Sequence, residues 1–192
     1  SAFLAFFIWG FFSLALKPLH NYPSLDILFY RVFFSVILMF FINVTFRRNL
    51  LKKNWNHFKK MTQTQKRSTI NLTLGGGVFL ALNWFVFIFI MNHVSVKAAS
   101  LAYLICPILT TVLAFFILKE KLSKWQWIAV LISTFSCILL SFNHFQDIFY
   151  SLITAATYSL YLISQRKNTE IDKFLILSIL LSFLSLVALG GR

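Results

Sequence analysis

Apolar runs that approach or exceed the ~20 residues needed to cross a hydrocarbon core recur along this chain from one end to the other. Seven such spans can be drawn: about Ala2 to Leu16, Leu25 to Phe46, Ile70 to Met91, Ala98 to Leu118, Trp125 to Phe142, Ile148 to Ser164 and Phe174 to Leu189. Each is nearly continuous, without the apolar/polar alternation of a membrane barrel, so helices are expected. The alternative is a soluble all-helical protein with a large core. It fails on charge, because only 12% of the residues are charged and 59% are hydrophobic. A soluble surface takes roughly a quarter charged residues. The expected fold is an all-α integral membrane bundle of about seven helices.

A net charge of +13 raises the question of a nucleic-acid partner, and the placement of the charge answers it. Arg47, Arg48, Lys52, Lys53, Lys59, Lys60, Lys66 and Arg67 crowd one acid-free segment between two spans, where the aromatics Trp55 and Phe58 suggest an interfacial stretch. If the first span starts in the cytoplasm, fourteen basic residues fall in cytoplasmic loops, including Lys119, Lys121, Lys124, Arg166, Lys167 and Lys173. The other side receives Lys17, Lys97 and Arg192. By the positive-inside rule the N-terminus is expected in the cytoplasm, and no nucleic-acid role is needed.

Cys106 and Cys137 lie inside spans, where cysteine behaves as a small hydrophobe, and no Cys/His spacing calls for a metal or redox cofactor. The first residues lack the basic n-region of a signal peptide. Both ends read as helices entered or left partway, so a fragment of a longer chain is expected. The opposite-side loops, Lys17 to Ser24, His93 to Lys97 and Asn143 to Asp147, leave no room for an extramembrane domain. Any activity belongs inside the bundle.

A weak internal repeat is visible. Laying 6–13 on 155–162 pairs Trp9 with Tyr158, Gly10 with Ser159 and, further on, Lys17 with Arg166. The first and sixth spans run in opposite directions, which would make the copies inverted, as in many secondary transporters.

Hydrocarbon penalises polar groups, so those within spans are the candidates for function. Arg31 is the only formal charge well inside a span, about six residues past its start and so roughly 9 Å deep at 1.5 Å per residue. Either it snorkels or caps a neighbour's carbonyls, or it lines a cavity and holds an anion. The fourth span carries a stripe of Ser100, Tyr103, Pro107, Thr110 or Thr111, and Ala114, at steps that fit one helical face. The sixth repeats the pattern with Thr154, Thr157, Tyr158, Tyr161 and Gln165, and the third adds Gly76, Asn83 and Trp84. Small and hydroxylated residues also serve simple helix packing. No Asp, Glu or His lies well inside a span, so no intramembrane base, acid pair or metal site supports an enzyme.

The segment Asn83-Trp84-Phe85-Val86-Phe87 leads into Leu101-Ala102-Tyr103-Leu104-Ile105-Cys106-Pro107-Ile108-Leu109, and the span ends in Leu118-Lys119-Glu120-Lys121-Leu122-Ser123-Lys124-Trp125-Gln126-Trp127. A proline-bearing helix closed by an E-(K/R)-L turn and then QW resembles the EamA transporters of the drug/metabolite transporter (DMT) superfamily. The Asn-Trp pair, together with Ile8-Trp9-Gly10 and Tyr30-Arg31, is most similar to the RarD-type members. Cys106 departs from them, standing where asparagine often precedes the proline. The resemblance implies ten helices in two five-helix inverted repeats. Residues 1–142 would form the first repeat, its start slightly truncated, and 143–192 the first two helices of the second. It also implies export or exchange of small metabolites or drugs across the bacterial inner membrane by alternating access, without a cofactor. Trp9, Arg31, Asn83, Trp84, Tyr103, Pro107, Tyr158 and Tyr161 are the expected cavity residues. Aromatic walls with one cation would suit an amphipathic or amino-acid-like substrate. Two other readings stay open: a non-transporting scaffold or assembly protein with a dry bundle, and a membrane-embedded enzyme whose catalytic residues lie beyond Arg192.

Overall fold

Without water to satisfy backbone N–H and C=O groups, a spanning segment has to close its own hydrogen bonds, and apolar runs of this length do so as helices. A computed structural model describes residues 4, 7, 11, 17–19, 21–140 and 145–190. After a 3-10 turn at Lys17–Leu19 come seven α-helices: α1 (Ser24–Thr45), α2 (Arg48–Lys60), α3 (Gln63–His93), α4 (Val96–Leu118), α5 (Lys124–Leu140), α6 (Phe145–Lys167) and α7 (Lys173–Gly190). There is no strand among the described residues. The protein is an all-α membrane bundle. Six helices coincide with the second to seventh expected spans, while the first span lies almost entirely outside the described residues.

The apolar runs do not reveal α2. It is the basic interfacial segment folded as an amphipathic helix, with no fully buried residue. They also understate α3, whose 31 residues reach about 46 Å against a hydrocarbon core of ~30 Å. Its first turns, Gln63 to Thr69, are too polar to count as apolar span, and a capping box starts them. Thr62 Oγ1 accepts from Gln65 N at 3.4 Å, and Thr62 N donates to Gln65 Oε1 at 3.0 Å.

Helices α1, α3 and α4 are each long and apolar enough to cross a membrane. Helix α6 is more polar because it sits in the middle, packed chiefly on α4 and α3, with Ser151, Thr154, Ser159 and Gln165 buried. Helix α1 packs on α7 and α3, and α5 lies at the edge against α4 with no buried residue. Between helices in lipid there is little hydrophobic drive, so close packing and hydrogen bonds hold the seams. Along α4–α6, Ser151 Oγ donates to the Ala98 carbonyl at 2.7 Å, Thr110 Oγ1 to Ser159 Oγ at 3.0 Å, and Ser159 Oγ to the Cys106 carbonyl at 3.2 Å. Asn43 Nδ2 donates to Ser178 Oγ at 2.8 Å across α1–α7. The large apolar side chains left outside, such as Phe34 and Phe40 on α1 and Leu131 and Phe135 on α5, are what a lipid-facing surface consists of.

The three basic loops meet at one end of the bundle through two ion pairs and a histidine–carboxylate contact. Arg47 Nη2 donates to Asp172 Oδ2 at 3.1 Å, Arg166 lies 2.9 Å from Glu120, and His57 lies 3.2 Å from Glu170. The chain carries five acids, and three of them are used here to tie basic segments together.

Candidate functional site

Arg31 lies seven residues into α1, Tyr103 seven into α4, and Trp84 nine before the end of α3. At 1.5 Å per residue these positions are about 11, 11 and 14 Å from the end of the bundle opposite the basic loops. Three helices of alternating direction thus bring the three side chains to one level. There the Arg31 guanidinium carbon stands 4.4 Å from the Trp84 ring centroid. The ring's negative face stabilises the cation by ~0.5–2 kcal/mol, more as water is excluded. Tyr103, at the same depth on α4, packs edge-on against Phe87, ring centroids 5.4 Å apart. Phe87, one helical turn beyond Trp84, is buried with Ile27, Ile88 and Ile90 beneath the cluster. The site is therefore a cation laid on an aromatic wall and backed by a packed apolar layer. A guanidinium is the side chain best shaped to recognise a carboxylate or other anion.

The other expected cavity residues are divided by the fold. Asn83 is 2% exposed and turns toward α6, donating from Nδ2 to the Thr154 carbonyl at 2.8 Å. Replacing it with leucine is expected to cost about 1 kcal/mol of stability, near the upper range of measured interhelical hydrogen bonds in membranes. Unfolding of the purified protein in detergent would measure this; an unchanged midpoint would mean the bond contributes nothing. Tyr158 and Tyr161 pair with ring centroids 5.8 Å apart, but they belong to the half of α6 nearer the basic end. Tyr158 packs on Leu101, Ile105, Cys106 and Ala155. Pro107 is exposed near the middle of α4, its carbonyl accepting from Thr111 Oγ1 at 2.8 Å. Trp9 lies outside the described residues. Burial varies along the α4 stripe: Ser100 and Pro107 are exposed, Thr110 is half-buried with its hydroxyl on Ser159, and Ala114 is buried.

The motif that carries the resemblance is turn hardware. Lys119 adopts the left-handed conformation (φ 55°, ψ 34°) that ends α4, with its N–H on the Ala114 carbonyl. This turn presents Glu120 to Arg166. Ser123 and Gln126 then form the capping box of α5, with Ser123 N donating to Gln126 Oε1 at 2.8 Å and Gln126 N to Ser123 Oγ at 3.3 Å.

With this geometry in place, the sequence profile described as the EamA-like transporter family matches residues 1–142. The chain belongs to the EamA-like transporter family. An uncharacterized transporter of Bacillus subtilis, YojE, is 29% identical over 188 residues, covering 94% of this chain and 61% of that protein. The protein RarD of Escherichia coli is 31% identical over 136 residues, 69% of this chain and 42% of its own length. A protein RarD of Streptomyces exfoliatus is 24% identical over 165 residues, 86% and 50%. The chain spans about half the length of these curated relatives, and it is a RarD-like member of the DMT type. No solved structure matches it. Within this EamA chain, the features that sequence reasoning missed are Phe87 as the backing of the cation site and the seam formed by Thr110 and Ser159. Phe87 was already quoted as part of the Asn83–Phe87 motif, and its i, i+3 spacing from Trp84 was the available signal.

Proposed function

We propose that the full-length protein is a secondary transporter that exports or exchanges small metabolites or drugs across the bacterial inner membrane by alternating access. The observation that carries this reading is the Arg31 guanidinium held on Trp84, with Tyr103 of α4 at the same depth against Phe87, three helices converging at one charged level. Membership in the EamA-like family supplies the transport class. The cavity of the whole protein draws on these residues and on Trp9, Pro107, Tyr158 and Tyr161, while the Asn83 amide serves the seam between α3 and α6. Its substrate is an amphipathic anion or zwitterion, such as an amino-acid-like metabolite, whose carboxylate meets Arg31 and whose apolar part meets the aromatic wall.

In this reading residues 1–142 form the first five-helix repeat and 143–192 open the second, inverted one. The packing of α1 on α7 supports it, because these would be the second helices of the two repeats, meeting across the pseudo-two-fold axis. The basic end faces the cytoplasm and the N-terminus lies on that side, in keeping with fourteen basic residues gathered there.

The test is to express the complete reading frame in a transport-deficient bacterium and measure retention of a metabolite and antibiotic panel by mass spectrometry. The wild type is expected to deplete at least one anionic or zwitterionic compound. Arg31→Ala, at equal membrane abundance, is expected to weaken that depletion about tenfold, the loss of one charge-assisted hydrogen bond. Transport of every anionic substrate unchanged by Arg31→Ala would remove the anion-holding role. No depletion across the panel, with the protein confirmed in the membrane, would favour the non-transporting scaffold.

A further inference from the structure

At the basic end, on the outside of the bundle, a groove of about 680 Å³ runs beneath α2 between the starts of α3 and α7. Leu51, Trp55 and Phe58 form its roof, spaced to share one face of α2. Ile70 and Leu74 of α3 form one wall. Ile171, just before α7, and Leu175 and Ile179 on it form the other, reaching about 9 Å along α7 toward the bilayer centre. The polar groups along it are mostly engaged. Asn54 Oδ1 accepts from Asp172 N at 3.0 Å, and Thr73 Oγ1 accepts from Asn168 Nδ2 at 3.0 Å. The groove therefore offers an apolar slot, closed to water-soluble ligands by its chemistry.

Its mouth is the opposite. Lys52 lines the rim with no hydrogen-bond or ion-pair partner among the described residues. Lys59 and Lys66 stand on the faces of Trp55 and Phe58, at 5.4 and 5.8 Å from the ring centroids. The nearby acids Glu170 and Asp172 are taken by His57 and Arg47. An apolar slot opening at a cationic rim, on an amphipathic helix at the membrane surface, complements one ligand class.

We propose that this groove binds an anionic phospholipid, one acyl chain between α3 and α7 and the headgroup phosphate at Lys52. That the lipid comes from the inner leaflet rests on the proposed orientation; the binding itself does not.

Native mass spectrometry of the full-length protein in detergent micelles tests it, using dioleoyl phosphatidylglycerol and dioleoyl phosphatidylcholine, which share their chains. The wild type is expected to retain the anionic lipid severalfold better. Lys52→Gln should erase about fivefold of that preference, the effect of one lysine at the membrane surface, and leave the neutral lipid unchanged. Leu74→Trp, which fills the slot, should lower retention of both lipids. Equal retention of the two lipids by the wild type would overturn the proposal, as would a preference that neither variant alters. So would an Ile70→Cys variant that a lipid-soluble maleimide cannot label in lipid-free micelles, since another segment of the full-length protein would then fill the groove.

Discussion

Gly77→Leu is expected to destabilise the bundle by about 3 kcal/mol, seen as a markedly lower unfolding midpoint in detergent and a poor yield of monodisperse protein. At Gly77, α3 approaches α7 so closely that a Cβ built there would stand 2.5 Å from Leu180 Cδ2, 3.6 Å from its Cγ and 3.8 Å from its Cβ. Leu180 is 1% exposed and so is enclosed by other side chains. A methyl group meets only the end of that side chain, so Gly77→Ala requires a local rearrangement and is expected to cost about 1 kcal/mol or less. Leucine adds three more carbons and has to push the helices apart. In a membrane this removes the close packing that substitutes for hydrophobic drive. Gly75 provides the control, because nothing stands within 4 Å of its would-be Cβ. Gly75→Ala is expected to be neutral, or stabilising by ~0.5–1 kcal/mol through helix propensity. A Gly77→Leu protein as stable as Gly75→Ala would show that α3 and α7 are not held this closely.

The helices were legible because hydrocarbon leaves the chain one local solution, and an apolar run reports it directly. Span ends drawn at Leu25, Ala98 and Phe174 fall within two residues of the observed starts of α1, α4 and α7. The error at α3 has a physical cause: its first turns are polar, and their helicity comes from the Thr62–Gln65 box and continuity with the apolar part. Helix α2 has no apolar run to announce it, only spacing of Leu51, Trp55 and Phe58 among charges. Within the site, Arg31 and Trp84 could be named from the sequence as a charge and an aromatic at membrane depth. Their stacking could not, since it depends on which faces of α1 and α3 meet. Asn83 shows the same limit: adjacent to Trp84 in sequence, it points about 100° away around the helix and bonds to α6. A residue type identifies a polar group that needs a partner, and only packing decides whether that partner is a neighbouring helix or a ligand.

Asp172 gives the second large effect, because it does two separable things at the basic end. Its carboxylate pairs with Arg47 at 3.1 Å, and its Oδ1 also accepts from Leu175 N at 3.2 Å, capping the start of α7. Asparagine can still cap but carries no charge, so Asp172→Asn is expected to cost about 1 kcal/mol, the loss of a partly buried pair whose side chains are 24% and 32% exposed. Alanine loses both roles. Asp172→Ala should therefore cost about 2 kcal/mol, and the difference between the two variants isolates the cap. Exchanging the partners, Arg47→Asp with Asp172→Arg, restores opposite charges but puts a side chain without an acceptor at the cap position. That double variant is expected to recover the pair and remain about 1 kcal/mol below wild type. Unfolding midpoints of wild type and the three variants in the same detergent measure these differences. If asparagine proves as damaging as alanine, the cap contributes nothing and α7 is started by the Arg47 pair alone. If asparagine is silent while alanine is not, the ion pair contributes nothing and the cap on Leu175 N carries the whole effect.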